Sequence, residues 1–236
     1  MKRKPYDERG TLRLNDLLQF EPLSPNQEKT YRAWKSRKAQ SHLILSGSAG
    51  TGKTFVGMYL ALESVLDRSS NQEKLCIVRS IVPTREIGFL PGTAEEKYDV
   101  YKSPYVNICS QLFGNKIAYS ILEEQGVLEF ISTSFIRGTT FDNTVILVDE
   151  CQNLTFHELD SIVTRAGINT RIILCGDYYQ SDFTRTGDRN GIKEFLNILE
   201  QIKEVHHIEF TWEDIVRSDF VREYIMTKEM LRRQHE

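Results

Sequence analysis

Eight consecutive residues have the types and spacing of a loop that binds phosphate groups. They read Gly47-Ser48-Ala49-Gly50-Thr51-Gly52-Lys53-Thr54 and match the pattern G-x-x-x-x-G-K-[ST]. Glycines let the backbone turn its N–H groups inward, where they and the positive end of a following helix surround a polyphosphate. Lys53 would contact the β- and γ-phosphates, and the Thr54 hydroxyl would complete the coordination of Mg²⁺. The segment therefore predicts a site for a nucleotide polyphosphate and its magnesium ion.

The sequence around this loop supplies the elements that the motif requires. An apolar run covers residues 42–46, and a helical pattern covers residues 55–66. The motif is meaningful when a strand precedes it and a helix follows it. A glycine-rich turn without a ligand is the alternative, and this context makes it the weaker interpretation.

Two adjacent carboxylates, Asp149 and Glu150, end the apolar run that begins at Asn143. In a parallel sheet this position places Asp149 at the carboxyl edge, where it can hold the shell of Mg²⁺. Glu150 can then orient or deprotonate a water molecule for attack on the γ-phosphate. A solvated acidic strand end is the alternative, and the phosphate loop upstream disfavours it.

Four further residues are candidates on weaker grounds. Gln27 offers one donor group and one acceptor, the pairing that reads the edge of adenine, although an isolated glutamine is more often a surface residue. Asp177 and Gln180 follow the apolar run 171–175, where they could sense the γ-phosphate and relay its loss. Arg217 could pair with a nucleotide phosphate, although on its own it is typical of a helix start.

Strand-like and helix-like segments alternate along the chain. Strands are predicted at 42–46, 74–79, 126–132, 143–150, 171–175 and 205–210. Helices are predicted from Pro25 to about Ala39 and at 55–66, 105–125, 155–166, 191–201 and 218–233. This alternation predicts an α/β fold, a mostly parallel sheet with helices on both faces. Right-handed crossovers bring the carboxyl ends of the strands to one edge, which gathers the candidate residues around one crevice.

The composition bounds the class of protein. With 236 residues and a net charge of -3, the chain can bury a core but has no global basic field to attract nucleic acid. No apolar run reaches the roughly 18 residues of a membrane span, and the N-terminus is polar, so we expect a soluble cytoplasmic protein without membrane contact. Four cysteines, Cys76, Cys109, Cys151 and Cys175, form no C-x-x-C pair, which favours buried reduced thiols.

Two stretches, residues 1–22 and 80–104, each allow more than one interpretation. Residues 1–22 are charged and irregular, which indicates an N-terminal arm that lies on the domain formed by residues 23–236 or on a neighbouring subunit. Residues 80–104 combine prolines and glycines with cations and aromatic rings, and are predicted to form a long structured loop. Such a mixture can hold a single nucleic-acid strand by phosphate pairing and base stacking. A packing or subunit-contact insertion is an equally good interpretation.

Taken together, these residues resemble the PhoH family of P-loop ATPases, whose RecA-like fold is similar to the first motor domain of superfamily 1 helicases. The most specific segment is Ile87-Gly88-Phe89-Leu90-Pro91-Gly92 with Glu96, Lys97 and Tyr101 after it, which resembles the family's G-F-L-P-G stretch. The resemblance covers about residues 27–224 and includes Ile136-Arg137-Gly138, Val148 to Asn153, Gly176-Asp177 with Gln180, and Asp214 to Arg217. Two positions depart from the family pattern: Ser80 replaces a proline and Cys151 replaces an alanine.

The resemblance implies Mg²⁺-dependent binding and hydrolysis of ATP, with water attacking between the β- and γ-phosphates. The implied catalytic residues are Lys53, Glu150, Gln180 and Arg217. Nucleotide contacts are assigned to Gln27 and to the loop from Gly47 to Thr54, and metal contacts to Thr54 and Asp149. Coupling to single-stranded RNA or DNA is a further expectation. A nucleotide kinase and a nucleotide-gated binding module with little turnover are the alternatives.

The resemblance also implies an assembly. This sequence contains one motor domain, whereas a two-domain helicase closes its nucleotide cleft with a second one. We therefore expect a homo-oligomeric ring, with a hexamer favoured, in which an arginine from a neighbouring subunit completes each site. The candidates, in order, are Arg217 and Arg137, followed by Arg85 or Arg79.

Overall fold

The structure, a computed structural model, describes residues 10–36, 41–80, 94–133, 136, 138–177 and 186–233. The strands are β1 (His42–Gly47), β2 (Lys74–Arg79), β3 (Leu128–Ser132), β4 (Thr144–Val148), β5 (Arg171–Cys175) and β6 (Val205–Phe210). The helices are α1 (Pro25–Trp34), α2 (Lys53–Leu66), α3 (Ala94–Phe113), α4 (Ala118–Glu124), α5 (Phe156–Val163), α6 (Thr186–Glu200) and α7 (Asp219–Arg233). Short 3-10 turns cover Leu14–Asp16, Cys151–Asn153 and Trp212–Asp214.

The strands pair in parallel to form one six-stranded sheet in the order β3-β2-β4-β5-β1-β6. The inner strand β4 is buried along its whole length, which is typical of parallel sheets covered on both faces. The edge strands differ: buried and partly exposed residues alternate in β3, and only Ile208 and Phe210 are buried in β6. The predicted RecA-like α/β fold is confirmed.

Two apolar clusters cover the two faces of the sheet. Because successive side chains of a strand point to opposite faces, Leu43 and Leu45 of β1 pack with helices α1 to α4. Ile44, between them, packs with α5 and α6 on the other face. The prediction of helices on both faces is therefore confirmed.

Helix α1 is shorter than predicted. Ser24 caps its first turn by accepting a hydrogen bond from the backbone N–H of Gln27. The helix ends at Trp34 and not near Ala39, because the carbonyl of Trp34 accepts a hydrogen bond of 2.8 Å from Arg171 in β5. The Arg171 guanidinium also lies 3.2 Å from the centre of the Trp34 ring. A contact from a distant strand thus sets the end of this helix.

The largest difference from the prediction is α3, whose first half falls in the segment that we expected to be a loop. Pro104 lies inside this helix, where proline removes a backbone hydrogen bond. Tyr105, Cys109 and Leu112 follow at helical spacing, and all three are fully buried. Their burial stabilises the helix against the loss at the proline. The helix predicted at 105–125 is also divided, because Gly114, with a φ of 61°, follows the last residue of α3 and α4 begins only at Ala118.

The N-terminal segment from residue 10 packs on the domain. Leu12 and Leu17 are buried in the same apolar cluster as α3 and α4. The backbone N–H of Leu12 donates to Gln125 Oε1 at 2.9 Å, and Gln125 Nε2 donates back to the Leu12 carbonyl at 3.1 Å. Leu18 donates its N–H to the carbonyl of Leu112 at 2.8 Å. These contacts join the segment to α3 and to the end of α4.

All four cysteines are buried as free thiols, as predicted. Among the described residues, no helix combines the length and the apolar character needed to cross a bilayer.

Candidate functional site

The glycine-rich loop joins β1 to α2 in a conformation that only glycine adopts easily. Gly47, Gly50 and Gly52 all have positive φ angles, of 109°, 75° and 82°. Gly47 also lies against β6: a Cβ atom there would stand 2.0 Å from the carbonyl oxygen of Phe210. The spacing of these glycines in the sequence therefore reflects a requirement of the backbone and of the neighbouring strand.

Lys53 is the first residue of α2, and its ammonium group folds back over the loop. It donates to the carbonyl oxygens of Gly47 and Ser48 at 2.7 Å each and lies 3.3 Å from the Thr51 hydroxyl. Burial lowers the pKa of Lys53 below its usual value, and nearby acidic groups, Asp177 foremost, oppose that shift. The ammonium thus lies where a polyphosphate would replace two carbonyl oxygens as its partners.

The two strongest motifs of the sequence meet at one hydrogen bond. Thr54 Oγ1 donates to Asp149 Oδ1 at 2.8 Å, across 95 positions of sequence. The strand register explains this contact. Val148 in β4 pairs with Leu174 in β5, and Leu174 pairs with Ile44 in β1. Asp149 therefore follows β4 at the carboxyl edge of the sheet, where the phosphate loop follows β1.

Asp149 is buried, with 6% of its surface exposed. Its second oxygen, Oδ2, accepts a hydrogen bond of 2.9 Å from the hydroxyl of Tyr105 in α3. Burial and the charge of Glu150 raise the pKa of Asp149 above its usual value, while the hydrogen bonds from Thr54 and Tyr105 act in the opposite direction. Both carboxylate oxygens are thus fixed, and each retains a lone pair.

Glu150 has a left-handed backbone conformation, with a φ of 52°, which is uncommon for a residue other than glycine. Its Oε2 accepts a hydrogen bond of 2.5 Å from Gln152 Nε2. The Gln152 Oε1 in turn accepts from the backbone N–H of Asp177 at 3.1 Å, directly after β5. A Cβ atom on Gly176 would stand 2.6 Å from this oxygen, so glycine is needed there. Gln152 thereby joins Glu150 to the neighbouring strand end.

The sequence indicated neither Tyr105 nor Gln152 as a site residue. Gln152 lies two residues after Glu150, so its place in the motif was a signal that could have been used. Tyr105 has no such local signal, because it reaches Asp149 across 44 positions from a helix.

Gln27 contacts the glycine-rich loop at Thr51. Its Nε2 donates to the carbonyl of Thr51 at 3.0 Å, and its Oε1 accepts from the N–H of Leu23 at 2.8 Å. An amide has two donors and two acceptor lone pairs, and within the described part of the chain these contacts use one of each. Its location agrees with the predicted nucleotide contact, which stays a prediction.

The segment from Asp214 to Arg217 also contacts the glycine-rich loop. Val216 donates its N–H to the carbonyl of Gly50 at 3.0 Å. Arg217 packs its side chain on Gly50, where a Cβ atom would stand 3.1 Å from Arg217 Cγ. Arg217 therefore lies in the cleft of its own chain, and a role in a neighbouring site stays a prediction.

Most of the remaining candidate site residues lie outside the part of the chain that the structure describes. Gln180, Arg85 and Arg137 lie outside the described residues. Arg79 is described, and its guanidinium lies 5.7 Å from the centre of the Tyr101 ring of its own chain. Of the predicted nucleic-acid contacts, Lys102 pairs with Glu123 at 3.0 Å.

The site residues line one cleft of about 850 Å³. Its lining includes Gln27, the loop from Ala49 to Thr54, Asp149, Glu150, Gln152, Asp177 and Arg217. The oxygens of Thr54 and Asp149 are of the kind that Mg²⁺ prefers, since this ion is held by one or two protein oxygens together with water and substrate phosphates. The donor set in the cleft therefore fits a magnesium ion.

Comparison with known families shows where the chain belongs. The profile of the family described as PhoH-like protein matches residues 19–229. The chain belongs to the PhoH-like protein family. The resemblance seen in the sequence is thereby confirmed, and the phosphate loop, the paired carboxylates and Arg217 all fall inside the PhoH-like region.

Curated PhoH-like relatives match over most of this chain. A PhoH-like protein of Mycobacterium tuberculosis (strain ATCC 25618 / H37Rv) is 32% identical over 180 residues, which cover 76% of this chain and 50% of that protein. Protein PhoH of Escherichia coli (strain K12) is 30% identical over 199 residues, which cover 84% of this chain and 55% of that protein. The chain thus spans about half the length of these relatives.

Two solved structures show a partial likeness to this PhoH-like chain. The large terminase from a thermophilic bacteriophage has a TM-score of 0.49 at 14% identity and covers 86% of this chain and 50% of its own. The Pif1 helicase from Bacteroides, in complex with ADP-AlF3 and single-stranded DNA, has a TM-score of 0.40 at 15% identity and covers 81% of this chain and 42% of its own.

Proposed function

We propose that this protein is a Mg²⁺-dependent ATPase that releases phosphate by attack of water on the γ-phosphate. The observation that supports this proposal is the hydrogen bond of 2.8 Å between Thr54 and Asp149. It joins a phosphate loop to a strand-end carboxylate, and Glu150 follows directly on the same edge. Phosphate binding, a place for the metal and a base for water are thereby combined in one cleft.

Each residue has a role that follows from its contacts. The Lys53 ammonium would exchange the Gly47 and Ser48 carbonyls for phosphate oxygens, since charged acceptors form the stronger hydrogen bonds. Glu150, oriented by Gln152, would accept the proton of the attacking water. Bound magnesium would neutralise charge that develops on the phosphates. Gln180, which lies outside the described residues, would sense the γ-phosphate, and this role rests on the sequence alone.

We further propose that turnover is coupled to single-stranded RNA or DNA in an oligomer. The net charge of -3 restricts such contact to a local patch. The described part of the segment 80–104 contributes little to that patch, because Lys102 pairs with Glu123 and Tyr101 lies beside Arg79. The proposal therefore rests on the composition of residues 80–104, in which the side chains of Arg85, Lys97 and Tyr98 lie outside the described part of the chain.

The test is phosphate release from ATP by the purified protein, with and without Mg²⁺, single-stranded RNA and single-stranded DNA. Lys53→Ala should weaken nucleotide binding by about 10–100-fold, the effect of losing charged hydrogen bonds. Glu150→Gln should keep nucleotide binding and lose about 10²–10⁴-fold in turnover, because the amide cannot take the proton.

Glu124→Gln, on the exposed surface of α4, serves as the control and should behave as the wild type. Phosphate release by Glu150→Gln at the wild-type rate would remove Glu150 from its role. Nucleotide binding without any phosphate release by the wild type would contradict the hydrolysis itself.

A further inference from the structure

Tyr105 is a tyrosine whose hydroxyl meets the predicted metal ligand. The side chain is fully buried, and its hydroxyl donates to Asp149 Oδ2 at 2.9 Å. A carboxylate oxygen can only accept, so the Tyr105 hydroxyl is the donor in this contact. The other oxygen of Asp149 is held by Thr54.

A half-buried cation lies nearby. Arg79, the last residue of β2, lies close to the Tyr105 hydroxyl and beside the ring of Tyr101. Burial alone would lower the pKa of Arg79, but Tyr105 and Asp149 raise it, so the guanidinium keeps its charge. The backbone N–H of Asp149 also donates to the carbonyl of Val78 at 2.9 Å. Tyr105 thus hydrogen-bonds Asp149 at the end of β4, and the charge of Arg79 at the end of β2 lies close to both.

We propose that Tyr105 is a positioning residue that sets the orientation of the Asp149 carboxylate for magnesium binding. This inference rests on the proposed function. A carboxylate has about four lone-pair positions, and Thr54 and Tyr105 occupy one on each oxygen. The plane of the carboxylate is thereby fixed, and the remaining lone pairs are presented to the shell of the ion. Without the Tyr105 hydroxyl, Oδ2 loses a donor and the group can turn about its last bond.

A purely structural role makes a different prediction. The Tyr105 ring packs against Phe130, with centroids 5.7 Å apart, so part of its value lies in filling the core. Tyr105→Phe keeps this ring and removes only the hydroxyl. Tyr119 of α4 offers a matched control, because it is also buried and its hydroxyl has no hydrogen-bond partner among the described residues. Tyr119→Phe removes the same atom from the same core without touching the site.

The experiment measures binding of a fluorescent, non-hydrolysable ATP analogue at increasing Mg²⁺ concentration. For Tyr105→Phe, the Mg²⁺ concentration at half-maximal binding should rise about tenfold, the effect of one hydrogen bond to a charged group. Binding without Mg²⁺ should not change, and phosphate release should approach the wild-type rate at high Mg²⁺. Tyr119→Phe should match the wild type throughout.

An unchanged Mg²⁺ requirement in Tyr105→Phe would overturn the proposal. An equal loss of binding with and without Mg²⁺ would also overturn it, since that result indicates a structural role. If the wild type binds the analogue with Mg²⁺ but releases no phosphate from ATP, the hydrolysis proposal fails while the Mg²⁺ shift still decides the role of Tyr105. If the wild type does not bind the analogue, both proposals fail.

Discussion

The carboxylate of Asp149 is buried, and burial opposes its charge. Because the pKa of Asp149 is raised in the folded protein, the native state binds a proton more readily than the unfolded chain does. Stability should therefore fall as the pH rises above the ordinary value of about 3.9, and stay low above the raised pKa. Asp149→Asn should stabilise the fold by about 1 kcal/mol at pH 8, or about 2–4 °C, while Mg²⁺-dependent phosphate release is lost.

Thermal unfolding followed by circular dichroism across a series of pH values from pH 8 downward measures this effect. The gain should shrink as the pH falls through the raised pKa, because protonation relieves the buried charge of the wild type. Asp160→Asn, on the exposed face of α5, should stay within about 0.5 kcal/mol of the wild type. An Asp149→Asn protein that melts below the wild type at pH 8 would show that the carboxylate is a net stabiliser.

The sequence allowed a site residue to be predicted where the spacing of its near neighbours indicates its role. Lys53, Thr54, Asp149 and Glu150 each belong to a short motif, and the structure brings all four to one cleft. Tyr105 was missed because its partner is 44 positions away and nothing beside it in the sequence marks that contact. The pairing appears only once β2, β4 and α3 are packed.

Among the elements, the turn Trp212–Asp214 fastens α1 to the region of the phosphate loop. Asp214 is fully buried, and its carboxylate accepts from Asn26 Nδ2 at 2.7 Å and from the N–H of Thr211 at 2.8 Å. Burial alone would raise the pKa of Asp214, but the Ser24 side chain, followed by Asn26 and the N–H of Thr211, lowers it below its usual value. Asp214→Asn should cost about 1–3 kcal/mol, because the amide nitrogen cannot accept from those donors.

Urea unfolding across a pH series measures this loss of stability and the direction in which it changes with pH. A lowered pKa contributes stability that is complete above about pH 3.9 and is lost as the pH falls through the folded value. The difference between Asp214→Asn and wild type should therefore be constant from pH 8 to pH 5 and narrow below pH 4. Glu213→Gln, exposed on the same turn, is the control. A difference that widens in acid would contradict the assignment.

The elements were predictable where one periodicity dominates. Strands β2, β5 and β6 match their predicted ranges, since each is a short run bounded by polar residues. The start of helix α3 was predicted wrongly because Pro104 indicated a break where the helix in fact continues. The residues that stabilise this helix pack against other elements, and the local sequence does not show those contacts. Helix α1 was extended too far because its end depends on Arg171, which is distant in sequence.

At the scale of the whole molecule, the position of Arg217 decides between two designs of the site. Its side chain packs on Gly50 of its own chain, which favours action on the nucleotide of the same subunit. Arg217→Ala alone should lose about 10³-fold in turnover, as for an arginine that stabilises phosphoryl transfer. Mixing Arg217→Ala subunits with Lys53→Ala subunits should restore nothing, because no subunit then has both groups.

Partial recovery of phosphate release in the mixture would instead assign Arg217 to the neighbouring site, as the resemblance to the family first implied. The mass of the assembly with and without ATP, measured by light scattering, shows whether the subunits meet under the assay conditions. Wild-type subunits mixed with Lys53→Ala subunits control for exchange between assemblies.

The two hydrogen bonds between Leu12 and Gln125 have a consequence for the synthesis of the polypeptide on the ribosome. The two residues are 113 positions apart, so Leu12 and Leu17 leave the ribosome well before α4 exists. At about 5–20 residues per second this interval lasts roughly 6–23 seconds. During that time the two leucines lack part of their apolar surroundings, and the segment from residue 10 cannot complete its native contacts until α3 and α4 have been made.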